Sequence, residues 1–229
     1  MTRRILNIIL TAILLIIVSV TGLLWNHDDT PAAGDNLTTI VIDPGHGGMD
    51  PGKVGIDNTL EKDLNLAISL EIAANLESQG FNVILTRDGD YGLYEESDTH
   101  RKSADMKNRC ILIKQSSADL VISIHQNSFT DSSVHGAQVF YYESSKHSRS
   151  LANCITNALQ QGIGKDNTRP AKSNSDYYML LNTPCPSVII ECGFLSNVSD
   201  SELLQNHLYR EKLTDSICLG VLDFIDNND

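Results

Sequence analysis

Thr39-Ile-Val-Ile-Asp-Pro-Gly-His-Gly-Gly48 is the stretch on which the architecture turns. Its apolar half predicts a strand over Thr38 to Ile42. Asp43-Pro-Gly-His-Gly-Gly48 is then a glycine-rich loop leaving the strand's carboxyl end. Downstream, Leu64, Ala67, Ile68, Ile72 and Leu76 recur at helical spacing, Gly80 ends that helix, and Asn82-Val-Ile-Leu-Thr86 reads as a second strand. The rhythm continues past the polar stretch Asp88 to Ser103. A helix is expected over Ala104 to Gln115, strands over Leu120 to His125 and Ala137 to Tyr142, and a helix over Ser148 to Gln161. The strand Ser187 to Glu191 and a helix over Leu213 to Ile225 complete the pattern. Strands alternating with amphipathic helices predict a single α/β domain whose mainly parallel or mixed sheet is flanked by helices.

The amino terminus is different in kind. Arg3 and Arg4 precede an almost uninterrupted apolar run from Ile5 to Trp25. About 20 apolar residues cross a bilayer, and basic residues stay on the cytoplasmic side. Residues 1–25 are therefore expected to be a membrane anchor, with a cleaved signal segment as the competing reading. The polar, turn-rich stretch 26–37 is expected to be a linker, and 38–229 the folded domain outside the cytoplasm. Acidic residues (29) outnumber basic ones (17), giving a formal net charge of -12, which excludes nucleic acid as a partner because phosphate neutralisation needs clustered Lys and Arg. The odd cysteine count, 5, shows neither a C-x-x-C metal spacing nor a disulfide framework, so the thiols read as small apolar residues inside the fold.

Four residues fall at strand ends or a helix start: His46, Glu61, His125 and Glu191. In open α/β sheets chemistry collects outside the carboxyl ends of the strands. The loop around His46 lacks the phosphate-cradling glycine patterns, but its glycines suit a tight turn presenting an imidazole. Glu61 has a bland alternative, since Asn58-Thr-Leu-Glu61 is close to a helix capping box. His125 and Glu191 end apolar strands, where a polar side chain must find a partner or a metal. Two imidazoles and a carboxylate suit a catalytic zinc with an open position, leaving one carboxylate to move protons.

Taken in order, Asp43-Pro-Gly-His-Gly-Gly48, Glu61, Val83-Ile-Leu-Thr-Arg87, Ala118-Asp-Leu-Val-Ile-Ser-Ile-His-Gln-Asn127 and Glu191-Cys-Gly-Phe-Leu-Ser-Asn197 resemble the zinc-dependent N-acetylmuramoyl-L-alanine amidases of the amidase-3 type. The resemblance implies that His46, Glu61 and His125 bind Zn2+ and that Glu191 is the catalytic carboxylate. It implies peptidoglycan as substrate, cut at the amide between N-acetylmuramic acid and L-alanine. His100-Arg-Lys-Ser-Ala-Asp-Met-Lys-Asn-Arg109 is similar to the spore-cortex branch, which helps form muramic δ-lactam. Asn127 and Arg109 are candidates for positioning substrate.

Gln126 and Cys192 depart from the small or aliphatic residues usual in the family. Cys192 faces away if Glu191 faces the site, because neighbours on a strand alternate. Division-associated relatives carry a helical insert after the Ala137 strand, whereas here Ser144 to Ser150 passes almost directly into the next helix, so an open groove is expected. The competing function is a weakly catalytic or non-cutting zinc-containing module that binds peptidoglycan and needs an activating protein partner.

Overall fold

Ile40, Val41 and Ile42 are all fully buried, so the first strand is covered on both faces. The structure, a computed structural model, describes residues 37–227. The anchor expected over 1–25 and almost all of the linker lie outside the described residues. Among the described residues, no helix is long and apolar enough to cross a membrane.

Among the described residues, six strands form one mixed sheet in the order β2-β1-β3-β6-β4-β5. They are β1 (Thr39–Pro44), β2 (Asn82–Leu85), β3 (Leu120–Asn127), β4 (Gln138–Tyr142), β5 (Lys172–Asn174) and β6 (Ser187–Phe194). β1 runs parallel to β2 and β3, β3 parallel to β6, and β4 parallel to β5, whereas β4 and β6 pair antiparallel. The helices are α1 (Glu61–Ser78), α2 (Arg101–Gln115), α3 (Lys146–Gly162), α4 (Tyr178–Asn182), α5 (Val198–Gln205) and α6 (His207–Asp226).

Strand alternation divides the core. Ile40, Ile42, Leu120, Ile122, Ile124, Val188, Ile190 and Cys192 face α1, α3 and α6 in one large cluster. Val41 and Val121 face the other way, against Ile113 of α2 and Met179 of α4. Ile189 joins Phe140 and Leu180 on that second face. His125 follows Val121 by two pleats, and Glu191 follows Ile189 by one. Both side chains therefore emerge on the α2 and α4 side, at the carboxyl ends of adjacent parallel strands. His125 and Glu191 are register partners, with a bulge immediately beyond His125.

The α/β architecture and the strands expected from the sequence are all present. β5, α4 and α5 are additions to that expectation, and their composition explains why. β5 is a three-residue polar edge strand, while α4 and α5 are too short for a helical period to show. α2 begins at Arg101 rather than Ala104, because its first turn is polar and carries no apolar signal. α6 begins at His207 rather than Leu213, after an Asn206 cap whose side chain accepts from Tyr209 N.

Candidate active site

The loop after β1 is held from below by two buried arginines. Arg87 donates to the carbonyls of Pro44, Gly45, Lys62 and Gly89 at 2.8–3.0 Å. Arg109 donates to Asp43 Oδ1 at 2.8 Å, to Pro44 O and His46 O at 2.6 Å, and to Asp105 Oδ2 at 2.7 Å. This corrects the expectation for Arg109. Its donors are spent on the protein, so it shapes the loop and does not reach out to substrate. The Asn127 Oδ1 accepts from the neighbouring Ser128 N at 2.8 Å.

Burial alone would raise the Asp43 pKa, but the Arg109 charge and hydrogen bonds from Thr86, Ser123 and Arg109 hold it below the ordinary 3.8. A depressed carboxylate stabilises the fold above its unfolded pKa, and that contribution is lost as pH falls through the folded value. Arg109→Ala should cost about 3–5 kcal/mol in urea unfolding, because it strands a buried charge. Wild-type stability should also fall on acidification below pH 3.8, with a flatter response in Asp43→Asn. An unchanged urea midpoint in Arg109→Ala would show that this arginine does not clamp the loop.

Held this way, His46 adopts φ 62, a left-handed conformation uncommon for a residue with a side chain. Two glycines are required around it. A Cβ on Gly45 would lie 2.2 Å from the His125 ring, and one on Gly52 (φ +68) would lie 2.5 Å from Glu61 Oε2. His46 Nδ1 pairs with Asp50 Oδ2 at 2.9 Å, and Asp50 Oδ1 accepts from Lys102 Nζ at 2.7 Å. That leaves His46 Nε2 directed at Glu61 Oε1, 3.2 Å away. His125 Nδ1 approaches the same oxygen at 3.0 Å.

Glu61 is not a helix cap. α1 starts at Glu61 itself, its N-cap Leu60 makes no side-chain cap bond, and Asn58 sits at φ 68. The carboxylate is instead pinned by backbone. Lys53 N donates to Oε2 at 2.7 Å and Gln126 N to Oε1 at 3.1 Å, with Asn65 Nδ2 at 3.4 Å. Burial opposes its charge, but hydrogen bonds from His125 and His46 hold its pKa far below the usual carboxylate range.

The donor atoms of His46, Glu61 and His125 all lie within 4.8 Å of one another. Two donors about 2.0–2.2 Å from one tetrahedral ion stand about 3.3–3.6 Å apart. The 3.0 and 3.2 Å separations here lie just below that range, so a small shift of the side chains lets the three residues hold a small tetrahedral cation. The backbone bonds on Glu61 and the Asp50 bond on His46 supply the outer support that metal ligands need.

Glu191 stands beside this triad with a buried Oε2 that has no hydrogen-bond partner. Burial, with the Glu61 charge adding to it and the two histidines opposing, pushes its pKa up to about 7 in the metal-free site. An orphaned carboxyl at a strand end is a candidate proton carrier. Cys192, on the opposite pleat, is buried and its thiol is pushed well up by burial, so it is inert. The five cysteines are unpaired and scattered through the fold.

His46, His125 and Glu191 line one groove of about 520 Å³, with Glu61 buried against the two imidazoles; α2 and the segment Asp176 to Met179 complete the lining. The side chains of His46 and His125 remain 26% and 23% exposed, so the groove opens to solvent. β4 passes to α3 through Glu143, Ser144 and Ser145 alone, which leaves no room for a helical insert. The sequence reading misses Asp50, Asn65, Arg87 and Lys102. Asp50 and Lys102 could be sought only as partners for a loop histidine, a signal that spacing does not carry.

A family model described as N-acetylmuramoyl-L-alanine amidase matches residues 40–223. The chain belongs to this family. It is 37% identical over 203 residues to the germination-specific N-acetylmuramoyl-L-alanine amidase of Bacillus subtilis (strain 168), covering 87% of this chain and 84% of that protein. The CwlD amidase from Clostridioides difficile, solved in complex with the GerS lipoprotein, matches with TM-score 0.80 and 41% identity over 83% of this chain and 99% of that one. AmiC2, an N-acetylmuramoyl-L-alanine amidase of Nostoc punctiforme, matches with TM-score 0.73 and 30% identity over 82% of this chain and 97% of that one. The chain is thus an N-acetylmuramoyl-L-alanine amidase with a His-Glu-His metal-binding triad, acting on peptidoglycan outside the cytoplasm.

Proposed function

We propose that this amidase is a zinc enzyme in which His46, Glu61 and His125 hold Zn2+ and Glu191 is the catalytic acid and base. The observation that carries the reading is the unpartnered Glu191 carboxyl in the groove that His46 and His125 also line. A bound zinc supplies Lewis acidity, making water a nucleophile near neutral pH and polarising the scissile carbonyl. Glu191, once ionised, takes a proton from the attacking water and passes it to the leaving L-alanine nitrogen, since an amide nitrogen leaves poorly unprotonated. Asp50 keeps the proton on His46 Nδ1, so that Nε2 offers its lone pair. Digestion of peptidoglycan by metal-stripped and zinc-restored protein tests this. Mass spectrometry should find new L-alanine amino termini and free muramic lactyl groups only with zinc. Equal cleavage after complete stripping would refute it.

Similarity to a germination-specific amidase and to CwlD supports a place in spore-cortex maturation. The same similarity, with a relative solved against a lipoprotein, supports an activating protein partner. We assign 38–229 to the catalytic domain, 26–37 to a linker and 1–25 to an uncleaved anchor. The native protein should fractionate with membranes and begin at or near Met1. An amino terminus near Ala32 would refute the anchor while leaving export intact.

A further inference from the structure

Lys102 has more capacity than its contact with Asp50 uses. It extends from the first turn of α2 along the groove wall, and its side chain is 72% exposed. One of its three ammonium donors goes to Asp50 Oδ1 at 2.7 Å. The other two have no partner among the described residues and are left to solvent in the groove.

The remaining charges of the groove make this lysine distinctive. Arg109 also lines it, but that guanidinium is buried and saturated by Asp43, Asp105 and backbone carbonyls. Lys102 is therefore the accessible fixed cation among the lining residues, in a chain of net charge -12. On the opposite wall Asp176 has no ion-pair partner among the described residues. Asp105 is paired with Arg109 and Asp50 with Lys102, so the spare donors of Lys102 are where an entering carboxylate can bind, whereas Asp176 offers it only like charge.

The substrate's charge is equally one-sided. In N-acetylmuramic acid the single carboxyl is consumed by the scissile amide, so the sugar side is neutral. Any carboxylate lies on the peptide side, the leaving group. We propose that Lys102 is a specificity residue that takes a carboxylate of the peptide beyond L-alanine, so that acidic peptides are preferred over amidated ones. This rests on the amidase reading of the site. It also gives the peptide a direction in the groove, towards the start of α2.

The test compares a muropeptide carrying L-alanyl-D-glutamate with free carboxyls against the same muropeptide with both carboxyls amidated. Wild-type kcat/KM should favour the acid about fivefold, the order of an exposed charge pair, and the preference should shrink in ~0.5 M salt. Lys102→Met should bring the ratio to about one, and Lys102→Arg should keep most of it. If Lys102 served only to hold Asp50, Lys102→Met would slow both substrates alike and leave the ratio unchanged, which would overturn the proposal. Calorimetric binding of both ligands to zinc-loaded Glu191→Gln, with and without Lys102→Met, gives a second readout that needs no turnover. An acid preference lost with the lysine supports the proposal, and equal affinities overturn it. Failure of wild-type protein to cleave either muropeptide would count against the amidase reading alone.

Discussion

Glu191→Gln should retain a full equivalent of zinc while its rate on peptidoglycan falls by roughly 10²–10⁴-fold, the usual worth of a positioned general base. The substitution keeps shape and leaves His46, Glu61 and His125 intact, so the loss should fall on kcat and spare metal content. It should also raise the stability of the metal-free protein. Burial raises the Glu191 pKa from 4.5 to about 7, so folding favours its protonated form. The sign follows from linkage: a carboxyl raised on folding destabilises progressively as pH climbs from 4.5 to about 7, and the full penalty persists above that. Glutamine carries no charge to desolvate, so metal-free Glu191→Gln should melt higher than metal-free wild type at about pH 8. A variant with full activity would remove Glu191 from proton transfer. One less stable than wild type under those metal-free conditions would show that its carboxylate is not buried at a cost.

That pairing of lost activity with gained stability is also why Glu191 can be found from sequence. A carboxylate closing the apolar run Ser187-Val-Ile-Ile-Glu191 violates the burial pattern around it, and such violations collect at functional sites. His125 is legible for the same reason, and the two-residue period places both side chains on one face. His46 needs its glycines to be read as a turn. The supporting residues are not legible. Asp50 and Lys102 lie 52 positions apart in sequence, and Asp43 and Arg109 lie 66 apart. Neither pair has a local pattern to announce it. Arg109 illustrates the limit: an arginine near an expected groove reads as a substrate contact, yet packing against the β1 loop consumes its donors.

Glu61 shows how a local motif can mislead when a tertiary demand overrides it. Asn58-Thr-Leu-Glu61 has the spacing of a capping box, but the carboxylate is drawn across the strand ends by Lys53 N, Gln126 N and the two imidazoles. The expected effect of Glu61→Ala changes accordingly. A lost cap would cost about 1 kcal/mol of stability and leave metal untouched. A lost ligand removes one of three protein donors. The resulting loss in zinc affinity should exceed the roughly 10–100-fold typical of an outer partner, the loss expected for Asp50→Ala. The fold should suffer too, because the buried Gln126 N–H would lose its acceptor, worth about 1–3 kcal/mol when left unsatisfied, and the part-buried Lys53 N–H would lose its acceptor as well. Separating these effects needs zinc titration and urea unfolding of both variants, with and without metal. Glu61→Ala should bind zinc more weakly than Asp50→Ala, and should remain destabilised relative to wild type even when both are metal-free. If Glu61→Ala bound zinc as tightly as wild type, the triad would be wrong; if its metal-free form were as stable as wild type, the backbone bonds would not be what holds this carboxylate in place.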